Sequence, residues 1–153
     1  MTACLLLVVD DSPPALVAAR YTIELARTLH ARVRVVNVAA DAVLTSPGAG
    51  ALDLPGSAGR PDSADHSVLG HVERLAHLEE VEVQAVQLTG DIAQSVLDEA
   101  RRVRPDLIVL GRAEDPGSGL RAALSPWAAR VLESAEQPVL MVPQEWRPRG
   151  SRP

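Results

Sequence analysis

The amino-acid sequence predicts a doubly wound α/β domain, with five parallel strands alternating with four helices. Three observations carry this. The runs Cys4–Val9 and Leu107–Leu110 are wholly apolar, as strands covered on both faces must be. The stretches between strand-like runs carry apolar residues three and four apart, the helical period. The order strand, helix, strand recurs along the chain, so neighbouring strands are joined by crossovers that make them parallel and right-handed.

Each element has its own local reason. The first strand runs into Asp10-Asp11-Ser12-Pro13-Pro14, where Ser12 is a good N-cap and the prolines suit a first helical turn. Leu16, Ala19, Ile23 and Ala26 then mark a helix from Pro13 to about His30. Val33–Val38 is the second strand. Residues 41–65, rich in Gly, Pro, Ser and Ala, read as a mobile loop. His66–Leu78 is helical through Val68, Leu69, Val72 and Leu75, and Gly70 weakens it. Val81–Val86 alternates, which predicts an edge strand with one wet face. Asp91 caps a helix carrying Ile92, Val96, Ala100 and Val103, closed by Pro105. Leu107–Leu110 ends at Gly111, and a loop follows from Arg112 to Gly119. Leu120, Ala123, Leu124, Trp127, Val131 and Ala135 define the last helix, and Pro138–Pro143 the last strand. One domain thus covers residues 1–143, and residues 144–153 form a polar, locally basic, disordered tail.

Composition excludes several functions. The chain has 153 residues, enough for one domain with a real core. It has no Phe, one Tyr and two Trp, so that core is Leu, Val, Ile and Ala. All fifteen basic residues are Arg, which removes a P-loop lysine, a Schiff base and a lysine general base. A net charge of −5 argues against a nucleic-acid partner. Cys4 is the sole cysteine, so it forms no internal disulfide or zinc cluster and reads as a buried thiol. The N-terminal apolar run is too short for a signal peptide, and no segment approaches the roughly 20 apolar residues of a membrane span, so a cytoplasmic location is expected. His66, His71 and His77 are spaced around their helix rather than along one face, which favours surface histidines over metal ligands. No nucleophile elbow or acid–base constellation points to an enzyme.

The pair Asp10-Asp11 raises its own question. An acidic pair after a first strand can hold magnesium in a phosphoacceptor domain, with Asp53 as acceptor and Thr89 as hydroxyl. Asp53 follows Pro47-Gly48-Ala49-Gly50, which supplies no strand, and the lysine such a site needs does not exist in this chain. That reading fails.

The stretches "LLLVVDDSPPALVAARYTIELARTLHARVRVVNV", "VEVQAVQLTGDIAQSVLDEARRVRPDLIVLG" and "LSPWAARVLESAEQPVLMVP" follow one another in order. Together they resemble the universal stress protein family over residues 4–143, with only 41–65 lacking a counterpart. The resemblance implies a Rossmann-like fold of the adenine nucleotide alpha hydrolase kind, with strand order reversing beside the first strand. Ligands bind at such a reversal, beyond the strands' carboxyl ends. The family's nucleotide site maps onto Asp10 for the ribose hydroxyls, Val38 for the adenine slot, and Leu110 and Gly111 at the head of a glycine-rich phosphate loop. Gly117, Gly119 and Ser125 are the remaining candidates in that loop. The implied ligand is ATP or another adenine nucleotide, with magnesium.

The loop departs from the family's pattern of Gly, two residues, Gly, nine residues, then Gly with Ser or Thr. Glu114 stands at the second Gly, and the closing pair falls at Leu124 or at Ser125-Pro126, where Pro126 has no N–H to donate. Glu114 and Asp115 bring negative charge toward the phosphates, while Arg112 and Arg121 flank the loop. The expectation is a non-catalytic stress-response protein with weak or lost ATP binding, acting through protein partners as a homodimer joined by Val139, Leu140, Met141 and Val142. An adenine-nucleotide switch is the alternative. Asp11 is expected to be a bystander beside the cap.

Overall fold

The computed structural model describes residues 2–10, 12–39, 67–112 and 125–150. Its strands are β1 (Cys4–Val9), β2 (Arg32–Ala39), β3 (Val83–Thr89), β4 (Leu107–Arg112) and β5 (Val139–Pro143). Its helices are α1 (Pro13–Leu29), α2 (Val68–Leu78), α3 (Ile92–Val103) and α4 (Pro126–Ser134). The strands form one sheet in the order β3-β2-β1-β4-β5, with every pairing parallel. The chain winds outward from β1 to β3 on one side and from β4 to β5 on the other, so the reversal lies between β1 and β4. The doubly wound five-stranded fold expected from the sequence is the fold observed.

Strand periodicity sorts the core into two layers. Leu5, Leu7, Val9, Val33, Val35 and Val109 pack with Ala18, Ala19 and Ile23 of α1 and Val72 of α2. Leu6, Val8, Val36, Val38, Ile108 and Leu110 pack with Val96 and Leu97 of α3 and Val131 of α4. All six residues of β1 are buried, as a central parallel strand requires. Edge strand β3 alternates half-buried and exposed positions along most of its length, as its sequence predicts.

Several local expectations are corrected. Leu16 is 37% exposed, and the inward stripe of α1 is Ala15, Ala18, Ala19, Thr22, Ile23 and Ala26. Small residues let the helix approach the sheet closely, which displaces the larger Leu16 to the flank. The last helix starts at Pro126: Ser125 is extended at φ −61°, ψ 151°, so helix does not run through from Leu120. Residues 120–124 lie outside the described residues, as does the loop at 41–65. The tail expected to be disordered from 144 instead turns back. The Gln144 amide donates to the Arg112 carbonyl at 3.1 Å, and the Trp146 ring meets Tyr21 edge-to-face at 5.1 Å. Trp146 thereby joins the α1 layer of the core. A single aromatic among polar residues carries too little periodic signal to be read as core.

Two carboxylates, one ion-paired and one bonded to a backbone amide, fix the frame away from the carboxyl end of the sheet. Glu99 on α3 is 6% exposed. It accepts from Arg34 Nε of β2 at 2.5 Å and from Arg102 at 2.6 Å. Burial works against its charge, but the hydrogen bonds and positive charge of Arg102 and Arg34 prevail and hold its carboxyl below the usual glutamate range. Asp106, just before β4, accepts from the Cys4 amide at 2.8 Å, and its own amide donates to the Cys4 carbonyl at 2.8 Å.

Candidate functional site

At the strand reversal, the β1–β4 ladder covers only Leu5–Leu107, Leu6–Ile108 and Leu7–Val109. Both strands continue, β1 to Val9 and β4 to Arg112. Their other neighbours follow them: β1 stays paired with β2 to Val9–Asn37, and β4 with β5 to Arg112–Pro143. The sheet therefore parts between β1 and β4 at its carboxyl end, where an open α/β sheet takes a ligand.

Asp10 follows β1 at this opening and is half-buried. Its Oδ1 accepts the Ser12 amide at 2.9 Å and also the Ser12 hydroxyl. Ser12 occupies the N-cap position of α1, yet its side chain makes no bond to the helix. The expectation that Ser12 caps the helix thus holds for its position and not for its hydroxyl. Asp11 lies outside the described residues.

Gly111 lies on β4 beyond the last β1–β4 pair. A Cβ built there would lie 2.4 Å from the Pro14 carbonyl oxygen and 2.6 Å from its carbon. Only glycine lets the end of β4 pass beneath the first turn of α1. Packing alone therefore accounts for this glycine, independently of any phosphate.

Val38 is 8% exposed and Leu110 is fully buried, both in the α3–α4 layer. The Leu110 side chain is committed to the core, so only its backbone borders the opening. Ser125 precedes α4, whose first residue, Pro126, has no N–H. The Ala129 amide already donates to the Ser125 carbonyl, at 3.1 Å. The amides of Trp127 and Ala128 are the first-turn donors with no intrahelical acceptor. Trp127 itself packs against the α3–α4 layer, as its helical spacing predicted. Gly117 and Gly119, with Glu114, Asp115 and Arg121, lie outside the described residues, as does Asp53. Gly111 and the start of α1 are thus brought together, Asp10 precedes that helix and is bonded to Ser12, and Val38 and Leu110 are buried in the α3–α4 layer.

Sequence reasoning missed two links here. It did not connect Ser12 to Asp10, nor Gly111 to Pro14. The first had a signal, because Pro14 at N2 removes one of the two amides that a capping serine serves. The second had none, since the two residues are distant in sequence.

Among the described residues, no three His, Cys, Asp or Glu side chains gather as a metal site. No helix among the described residues is long and apolar enough to cross a membrane.

The sequence matches the family model described as the universal stress protein family over residues 1–143. No curated relative matches the chain. Solved structures similar to it include a universal stress protein family member from Burkholderia pseudomallei, at 25% identity and a TM-score of 0.65, covering 92% of this chain and 96% of that one. A family member from Arabidopsis thaliana with AMP bound is similar at 19% identity and a TM-score of 0.63, covering 99% and 96%. The universal stress protein from Archaeoglobus fulgidus in complex with dAMP is similar at 20% identity and a TM-score of 0.60, covering 92% and 97%.

Proposed function

We propose, from the premise that this chain belongs to the universal stress protein family, that it is a non-catalytic stress-response protein that binds the adenosine end of a nucleotide and holds the phosphates weakly. The observation that carries this is the parted β1–β4 seam with Asp10 at its mouth. Asp10 Oδ2 remains to accept from a ribose hydroxyl, since a carboxylate carries about four acceptor positions. Val38 and the Leu110–Gly111 backbone would floor the base. Family members of the same fold have been solved with AMP and dAMP, which supports an adenine mononucleotide as ligand.

The phosphate end is weaker. The sequence replaces the family's second glycine by Glu114, and Pro126 removes one amide from the first turn of α4. Two amides and the helix dipole remain, enough to favour an anion. Magnesium would arrive with the phosphates rather than be caged by the protein, because among the described residues no three His, Cys, Asp or Glu gather and Asp10 has one oxygen already engaged. AMP should therefore bind at least as tightly as Mg-ATP. Calorimetric titration of both tests this; binding of Mg-ATP tenfold tighter than AMP would falsify it.

A second reading, partner binding without nucleotide, draws on Gly111. Because packing under α1 already demands this glycine, its presence does not by itself imply a phosphate. Chromatography of the denatured, freshly purified protein separates the two readings. Stoichiometric adenine nucleotide favours the first, and none favours the second.

We extend the proposal to a homodimer through β5. This strand is an edge, with Val142 turned into the core and Val139, Leu140 and Met141 only half-buried. An unpaired edge of this kind is completed by a second strand. A monomeric mass by light scattering at tens of micromolar would overturn it.

A further inference from the structure

The geometry points to Ser12 as the positioning residue that fixes the Asp10 carboxylate at the mouth of the β1–β4 seam, with no share in capping α1. This inference rests on the nucleotide reading for its functional consequence.

A capping oxygen accepts from the amide of N2 or N3. In α1, N2 is Pro14, which has no N–H. N3 is Ala15, whose amide donates to the Ser12 carbonyl at 3.1 Å. Neither amide donates to the hydroxyl oxygen, and the hydroxyl proton goes to Asp10 Oδ1. The Ser12 amide donates to the same oxygen at 2.9 Å. Two donors on Oδ1 saturate it and fix the plane of the carboxylate. Oδ2 is thereby the oxygen left to accept from a ligand. A carboxylate held in one rotamer binds without the ordering cost that a free side chain carries.

The doubled proline leaves the hydroxyl oxygen without an N2 amide to accept from, so its bond is the one it donates to Asp10.

The test is AMP titration by calorimetry on the full chain for wild type, Ser12→Ala and Ser12→Thr, with melting temperatures measured on the same samples. Loss of one hydrogen bond of about 1 kcal/mol corresponds to roughly fivefold weaker AMP binding in Ser12→Ala. Ser12→Thr restores the hydroxyl and should bind within about twofold of wild type. The melting temperature of Ser12→Ala should stay within about 2 °C of wild type, because no cap is lost. A capping role would instead lower the melting temperature and leave affinity unchanged, and that outcome overturns the inference. So does Ser12→Ala binding AMP as wild type does.

The second readout needs no ligand. Three-bond couplings from the Asp10 carboxyl carbon to its backbone nitrogen and carbonyl carbon report the rotamer by NMR. Wild type should show one rotamer and Ser12→Ala an average of several. If wild type fails to bind AMP, the nucleotide reading fails, and these couplings alone decide the positioning role. Identical couplings in both proteins would overturn it.

Discussion

The β1–β4 seam is closed at one end and open at the other, and an aspartate stands at each. At the amino end, Asp106 bonds across the seam to the Cys4 amide, and the Asp106 amide returns a bond to the Cys4 carbonyl. At the carboxyl end, Asp10 bonds to its own neighbour Ser12 and the ladder stops at Leu7–Val109. The same side chain thus clamps two strands in one place and leaves them parted in the other. The difference lies in where its hydrogen bonds go. Glu99 is a third case, a buried carboxylate enclosed by Arg34 and Arg102. Carboxylates whose bonds reach another element, as those of Asp106 and Glu99 do, hold the frame. Asp10, whose bonds go to the residue two positions on, does not.

The largest test of this contrast is Gly111→Ala. The added Cβ meets the Pro14 backbone, and the overpacking should destabilise the fold by about 3 kcal/mol in urea unfolding. A loss below 1 kcal/mol would mean the open end is looser than its contacts imply.

Next comes Glu99→Gln. Removing the charge leaves the 13%-exposed Arg34 side chain without its ion pair, at a cost of about 2 kcal/mol near neutral pH. The pH dependence carries a sign. Because the folded carboxyl titrates below its unfolded range, its contribution is complete above about pH 5 and is lost as pH falls through the depressed folded value. The Gln variant should show a shallower acid limb in unfolding free energy between pH 6 and 3. Identical slopes in the two proteins would count against the Arg34–Glu99 pairing.

Asp106→Ala should cost about 1 kcal/mol, the worth of one charge-assisted bond near the surface. Amide exchange should quicken at Cys4, which loses its acceptor. The smallest stability effect belongs to Asp10→Ala, below about 0.5 kcal/mol, because no strand is clamped by it. AMP binding should nevertheless fall below detection in that variant. If Asp10→Ala destabilises as much as Asp106→Ala, the two ends of the seam do not differ as described.

Much of the frame was legible because its signals are periodic or local. Cys4–Val9 could only be a buried strand, and Asp91 before Ile92 reads as a cap, as its bond to the Gln94 amide at 2.8 Å bears out. Trp146 was not legible, because one aromatic in a polar tail has no period, and its partner Tyr21 lies more than a hundred residues earlier. Glu99 was hidden for the converse reason. A Glu among exposed Arg residues on a helix reads as solvated, and only the neighbouring Arg34 on β2 makes its burial tolerable. At the candidate site, the sequence pointed to Asp10 and Gly111 but not to the bonds between Asp10 and Ser12 or to the packing of Gly111 against Pro14.

The sequence by itself determined the element order, the two-layered apolar core and the family of the fold. These follow from periodicity and from residues acting on their immediate neighbours, which any chain carries in one dimension. The tertiary structure alone decided where the sheet parts, why Gly111 must be glycine, and which oxygen of Asp10 takes the Ser12 donors. Each of these is fixed by how far two backbones can approach or by which donor reaches an acceptor first, and such distances exist only once the strands are side by side.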